Sequence, residues 1–308
     1  MTINGDFTFD GVSMSSLGDV TVVKGETFEA PAREFDVREI PGRNGDMVLD
    51  GGKYPNVGVT YWVMIRSDFN ATYRKVCGFL LSRKGYCKLS DSWNTDEFYL
   101  AYVAQPIQPT VNRGEDQGAF EVVFSRKPQR FLVSGNTAAT LTPSTGESPT
   151  NTFAHLENPT YFPARPQIKL KLVSATNYYV NLVDLGLFTQ LPTTYSNFGT
   201  RCVSGTRRAI QLYTGSSSTA LSNYVSADEE IVIDCESRSV LNTARGTSLN
   251  AITYLTAGTG VPGTSGTVYF PDFPEIQPIL STDYVSCSMV FQDSYVYDVT
   301  VLPRWWTV

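Results

Sequence analysis

The sequence predicts an all-β protein with one helix, organised as two domains. Three observations predict it. Tyr, Thr, Ser, Gly and Val are plentiful while charged residues make up only 18% of the chain, the composition of strands and turns. Short apolar runs alternate with polar residues between Gly, Pro, Ser and Asn clusters, the period-2 signature of half-buried strands. The length of 308 residues is long for one core and comfortable for two.

In the first part, residues 7–23 read as two short strands around Gly11 and Gly18, followed by a loop over 25–31. Residues 33–40 alternate, with Phe35 and Val37 on one face and Asp36 and Arg38 on the other, which predicts a half-buried strand. A tight charged turn follows: Ile40, Pro41, Gly42, Arg43, Asn44, Gly45, Asp46. Pro41 fixes φ, and Gly42 and the Asn44-Gly45 pair accept positive φ cheaply. Strand character resumes at 47–49 and ends at the turn Asp50-Gly51-Gly52. Val57, Val59, Tyr61, Val63 and Ile65 make the cleanest alternation in the chain.

The one predicted helix, about 68–84, places Phe69, Tyr73, Val76 and Leu80 on one face. Ser67 or Asp68 is the expected N-cap, Gly85 the C′ residue, and Arg83 and Lys84 the cations of the last turn. A hairpin over 86–90 and 97–103, a charged loop over 113–116 and a strand through Phe120, Val122 and Phe124 complete this part. Lys127-Pro128-Gln129 closes it, because proline cannot continue a central strand. The predicted domains are residues 1–130 and 131–308.

The second part reads as strands at 131–133, 137–141, 167–173, 178–182, 209–213, 230–234, 267–270, 284–291 and 297–302. Many short strands at this spacing suggest a β-sandwich. Residues 142–149 read as a loop.

Net charge is −6. Residues 1–130 hold 15 basic and 17 acidic side chains, and the remainder 9 and 13, so neither part has the basic excess of a nucleic-acid binder. Cys77, Cys87, Cys202, Cys235 and Cys287 form no C-x-x-C pair, and their odd number suggests packed thiols in a reducing compartment. The N-terminal residues show no basic or apolar leader, and no run of about 18 apolar residues occurs, so neither export nor membrane spanning is expected.

No constellation points to chemistry, and the expectation is no enzyme, no cofactor and no metal. His155, the single histidine, excludes multi-histidine metal sites and reads as a strand or loop residue. Gly258-Thr259-Gly260-Val261-Pro262-Gly263 matches G-x-G-x-x-G in letters only, with a proline inside and a strand after it. Asp234 and Glu236, beside Glu230, share a strand face as a glycosidase pair would, but the simpler reading is a solvated turn at Asp228, Glu229 and Glu230 leading into a strand that ends at Asp234. Trp305 and Trp306, with Tyr295 and Tyr297 nearby, suit either a sugar-stacking platform or the two faces of a last strand. The sequon Asn70-Ala71-Thr72 falls within the predicted helix.

Several segments, in order, resemble the distal tail protein (Dit) family of long non-contractile-tailed bacteriophages. They are residues 39–46, the Tyr-rich strand with its single helix, and Gly118-Ala119-Phe120-Glu121-Val122-Val123-Phe124 running into Lys127-Pro128-Gln129-Arg130-Phe131-Leu132. Further on, Asn158-Pro159-Thr160, residues 164–168, residues 231–236, residues 270–276 and Leu302-Pro303-Arg304-Trp305-Trp306 continue it. The chain departs from the family pattern at Gln277-Pro278-Ile279-Leu280, where a glycine-asparagine turn is common, and its loop over 134–151 and its stretch over 195–227 are longer or more polar than a minimal member needs.

The resemblance implies an N-terminal tail-tube-like β-sandwich or barrel and a C-terminal galectin-like β-sandwich. It implies a structural virion protein: a homo-hexameric ring at the distal end of the tail, assembled in the host bacterial cytoplasm. Its partners would be the major tail tube protein, the tail tip or tail-associated protein, and receptor-binding or baseplate proteins. DNA would pass only as cargo, through a lumen whose negative balance repels phosphate. Ile40 through Asp46 become the candidate contact with a neighbouring subunit or an adjacent ring, with Arg43 making a charge-assisted contact. The alternative is a carbohydrate-binding, lectin-like module of a phage adsorption device, using Trp305 and Trp306.

Overall fold

The computed structural model describes residues 5–26, 29–141, 158–172, 183–188, 206–213, 229–248, 250–257, 267–269, 273, 275–276, 278, 286–291 and 297–308. Two compact units emerge, one of residues 1–133 with Val308 and one of residues 134–307. The chain is mostly antiparallel sheet, with a single α-helix among the described residues.

The first unit begins with β1 (Phe7–Phe9) and β2 (Val12–Ser13), joined at Asp10 and Gly11, both with positive φ, as a two-residue hairpin turn requires. A 3-10 turn leads to β3 (Val20–Glu26). Then come β4 (Phe35–Arg38), β5 (Met47–Asp50), β6 (Val57–Ile65), α1 (Phe69–Ser82), β7 (Cys87–Asp91), β8 (Glu97–Val103), β9 (Pro109–Asn112), β10 (Gln117–Arg126) and β11 (Arg130–Leu132). The main sheet runs β2-β1-β7-β8-β10-β6-β3, with β9 on β10 and β11 on β8. Among the described residues β4 and β5 pair only with each other.

The core follows from two alternations laid in register. Val59, Tyr61 and Val63 of β6 stand opposite Phe124, Val122 and Phe120 of β10, all buried. Phe7 stacks on Tyr61 at 4.5 Å and meets Phe124 edge-on at 5.6 Å. α1 buries Phe69, Thr72, Val76 and Leu80. Each large apolar side chain removed from water stabilises by about 1.5–3 kcal/mol. Tyr61 donates a 2.8 Å hydrogen bond to Asp91. Burial, and then the Asp91 charge, push its phenol well above the ordinary value.

The helix lies where the spacing predicts, but its ends differ. Asp68 sits in the left-handed region and makes no side-chain cap, and Ser67 donates instead to Asp19. The helix stops at Ser82, so Gly85, with φ of +72°, lies beyond the C′ position, and Arg83 leaves the last turn to pair with Asp10 at 2.9 Å. Specific side-chain partners here replaced the generic cap and dipole contacts. β9 is an addition to the sequence reading: its four residues are all exposed and it opens on a proline at a sheet edge, leaving no apolar period to read.

The second unit contains β12 (Ala139–Leu141), β13 (Gln167–Leu172), β14 (Val183–Phe188), β15 (Thr206–Tyr213), β16 (Glu230–Asp234), β17 (Ser239–Asn242), β18 (Thr247–Ser248), β19 (Asn250–Ala257), β20 (Thr267–Tyr269), β21 (Ser286–Phe291), β22 (Tyr297–Leu302) and β23 (Trp306–Thr307). One sheet runs β12-β22-β13-β16-β17-β18, another β20-β19-β15-β14-β21. In the first, Val301, Ile168, Ile233 and Val240 form one buried row across four strands. The expected strand at 178–182 lies outside the described residues. β14, β17, β18 and β19 are additions to the sequence reading.

Candidate subunit interface

Residues 40–46 form the tip of an arm. Pro41 and Gly42 occupy the centre of a turn closed by the Arg43 N–H on the Ile40 carbonyl at 3.1 Å, with Gly42 at φ +82°, the type II geometry that a Pro-Gly pair favours. Gly45, at φ +81°, turns the chain again into β5. Behind the tip, β4 and β5 pair as Phe35↔Asp50, Asp36↔Leu49, Val37↔Val48 and Arg38↔Met47.

Directly opposed residues share a face, so Phe35, Val37 and Val48 stand together on one side of the ribbon and Leu49 and Met47 on the other. The sequence reading made this a half-buried strand. Every residue of both strands is instead exposed, with Phe35 at 49%, Val37 at 55% and Val48 at 56%. The alternation is real, but no other strand or helix of the chain covers it among the described residues.

Ion pairs brace the ribbon from within. Arg33 pairs with Asp50 at 2.8 Å, Arg38 with Asp36 at 2.9 Å and Lys53 with Glu34 at 3.1 Å. Arg43 makes no side-chain hydrogen bond or ion pair to any described residue.

Two pins hold the arm's roots to the first unit. On one side the Glu29 carbonyl accepts from Arg126 Nη2 at 2.6 Å and from Arg130 Nη2 at 3.4 Å. On the other, the Asn56 amide donates to Tyr86 Oη at 2.8 Å and Ser125 Oγ at 3.0 Å. Arg126 is 0% exposed, although it is a charged side chain. Its guanidinium also donates to the Lys127 and Pro128 carbonyls and lies 4.9 Å from the Tyr99 ring. Burial, and then the nearby Arg130, pull its pKa below the usual guanidinium value. Sequence reasoning missed this residue, yet the signal was present: it follows Phe120, Val122 and Phe124 at the inward phase of β10.

The outward phase of the same sheet carries a groove of about 460 Å³ whose lining includes Trp62, Gln105, Pro106, Thr110, Glu121 and Val123. Trp62 and Glu121 are opposed in the β6–β10 register, and the indole N–H donates to Glu121 Oε1 at 2.6 Å.

The other candidates fall elsewhere. Asp234 forms a two-point ion pair with Arg304 at 3.0 and 2.8 Å, and its Oδ1 accepts from the Glu236 and Ser237 N–H groups, so both its oxygens are engaged. Glu236 lies 3.8 Å from the same arginine. Trp305 is 6% exposed, and Trp306 stacks on Phe162 at 4.4 Å while donating to the Pro163 carbonyl. His155 and residues 258–263 lie outside the described residues. Cys77, Cys87 and Cys235 are free thiols. Among the described residues no three His, Cys, Asp or Glu side chains converge as metal ligands, and no helix is long and apolar enough to cross a membrane.

The arrangement of two largely antiparallel units, with one helix among the described residues, is a fold shared with a solved phage protein. The chain is similar to the SPP1 Dit (gp 19.1) protein, whose structure is described as a paradigm of the hub adsorption apparatus in phages infecting Gram-positive bacteria. The TM-score is 0.53 at 10% identity, over 96% of this chain and 97% of that one. A second similar structure is a chain of the phage p2 baseplate in its activated conformation with Sr, at a TM-score of 0.41 and 9% identity, over 96% and 97%. No protein-family model and no curated protein matches the sequence.

Proposed function

We propose that this chain is a structural tail hub protein of a phage, a non-catalytic subunit that closes a six-fold ring between the tail tube and the host-adsorption apparatus. The observation that carries the reading is the arm of β4 and β5. Natural proteins rarely leave a two-stranded ribbon with apolar residues on both faces and unpaired backbone on both edges in water, and such a ribbon is marginal alone. A neighbouring subunit is the cover that a ring supplies, and the fold shared with SPP1 Dit supports a hub as the setting. In this reading residues 1–130 build the ring, and residues 131–308 form a galectin-like domain projecting from it. Residues 40–46 touch the neighbour. The partners are other copies, the tube protein, the tip protein and receptor-binding or baseplate proteins, at the distal end of a virion tail.

Light scattering after size exclusion, with negative-stain images of the main peak, tests it. Six subunits of 34.0 kDa give a particle of about 204 kDa with a central hole. A species of 34.0 kDa at every concentration sinks the self-assembling ring.

A further inference from the structure

We propose that the arm of one copy seats its tip in the Trp62–Glu121 groove of the next copy, with Arg43 paired to Glu121. The proposal rests on the ring reading and adds the place where the arm lands.

Charge complementarity selects this groove. Three of the arm's four cations are held by its own acids, and Arg43 is the fourth. Glu121 is exposed and forms no ion pair among the described residues, and the Trp62 indole N–H takes only Oε1. That bond fixes the carboxylate and leaves Oε2 for a second donor. A guanidinium brought to it makes a charge-assisted hydrogen bond, about twice as strong as a neutral one.

Shape agrees with charge. The groove's 460 Å³ lies within the range of sites that hold a small ligand, enough for an arginine side chain and part of its turn. Pro106 and Val123 offer apolar wall to the arginine stem, while Gln105 and Thr110 offer polar groups to the Asn44 amide. The type II turn places Arg43 in the loop that joins the two strands of the ribbon. The strand leading to it, residues 33–40, spans about 25 Å, long enough to cross onto an adjacent subunit.

Topology agrees as well. Arm and groove are different patches of one chain, so their contact is head-to-tail. Such a contact closes rings when the rotation fits, whereas a self-complementary patch stops at a dimer.

Charge exchange in the full-length protein tests the pairing. Arg43→Glu and Glu121→Arg are each expected to raise the concentration needed for ring assembly at least tenfold, and the double variant to recover most of the loss. In addition, Arg43→Lys protein, mixed from isotopically labelled and unlabelled copies and treated with a carbodiimide, is expected to yield a 43–121 isopeptide joining the two populations. Wild-type assembly by both single variants, no recovery in the double, or no such cross-link overturns the proposal. A wild-type ring that ignores the exchanges removes only the landing site, whereas a wild-type monomer removes the ring reading itself. A fluorescence response to soluble cell-wall saccharides that vanishes in Trp62→Phe, with assembly indifferent to the exchanges, assigns the groove to a sugar and equally overturns it.

Discussion

The guanidinium of Arg126, buried at the end of the longest strand, donates a 2.6 Å hydrogen bond to the carbonyl of Glu29, 97 residues earlier at the root of the arm. A buried cation is costly unless its donors are used, and here the backbone of the arm's root supplies the acceptor. Arg126→Met fills the space but leaves the Glu29 carbonyl only the longer, 3.4 Å bond from Arg130. The expected result is a loss of about 3 kcal/mol in unfolding free energy by denaturant titration. Faster proteolysis around residue 30 in the intact protein should accompany it. Unchanged proteolysis would mean that Arg126 stabilises the sheet without pinning the arm.

Replacing residues 33–53 with a short Gly-Ser linker tests what the arm is for. Its ion pairs are internal and its apolar residues face solvent, so the remaining fold loses little. A melting temperature within a few degrees of wild type is expected, since surface changes usually shift stability by about 0.5 kcal/mol. Assembly should fall to the monomer in light scattering. A shortened protein that still forms the wild-type particle would assign the arm to some other partner.

Val37 and Val48 face each other on the ribbon and divide folding from association cleanly. Changing both to Thr removes apolar surface that is already wet in the monomer, so the monomer's melting temperature should hold. Association should weaken by about 1–2 kcal/mol for each fully covered valine. The check is the concentration midpoint of assembly, and an equal loss of monomer stability would show the pair to be packed within its own chain.

Much of the first unit was legible because its signals are local. The alternation of β6, the 3.6 period of α1 and the hairpin turns at Asp10-Gly11 and Pro41-Gly42 are set by neighbouring residues. The exposure of the arm was not legible. Phe35 and Val37 alternate just as Val59 and Tyr61 do, and the difference is whether another strand lies alongside, which no local window contains. Arg126 failed for the same reason: its phase says inward, its charge says outward, and the deciding partner is 97 residues away. The Trp62–Glu121 pair is likewise a product of the β6–β10 register, not of spacing along the chain.

Asp234 gives the second unit a testable response to acid. Burial opposes ionisation, but hydrogen bonds from Arg304 and from the backbone N–H groups of Ser237 and Glu236 outweigh it and hold the carboxyl below its ordinary value. A folded-state pKa below the unfolded one contributes stability above the unfolded value, about 3.9, and loses it as pH falls through the folded value. Thermal melts from pH 7 to 2.5 should therefore show a drop that Asp234→Asn flattens. At pH 7 the variant should be less stable by about 1–3 kcal/mol, because Arg304 keeps its charge but loses its two-point partner, with Glu236 only at 3.8 Å. An unaltered acid profile would place the acid sensitivity on other carboxylates.

Gly118 decides how closely the helix can lie on the sheet. It is buried in β10, beside the ring of Phe69, the first residue of α1, and a Cβ built there would stand 2.4 Å from that ring. Phe69 has little room to give, since it stacks on Tyr73 at 5.3 Å and Tyr73 is tied through its hydroxyl to the Ile107 carbonyl at 2.9 Å. Gly118→Ala should therefore cost about 1–3 kcal/mol despite the better strand propensity of alanine, because the ring must leave its rotamer or push the helix away. Pairing it with Phe69→Leu frees the space, and the double variant should lose less than the two single losses added together. A double-mutant cycle by denaturant titration measures that coupling. Simple additivity would show that the helix yields freely at this point.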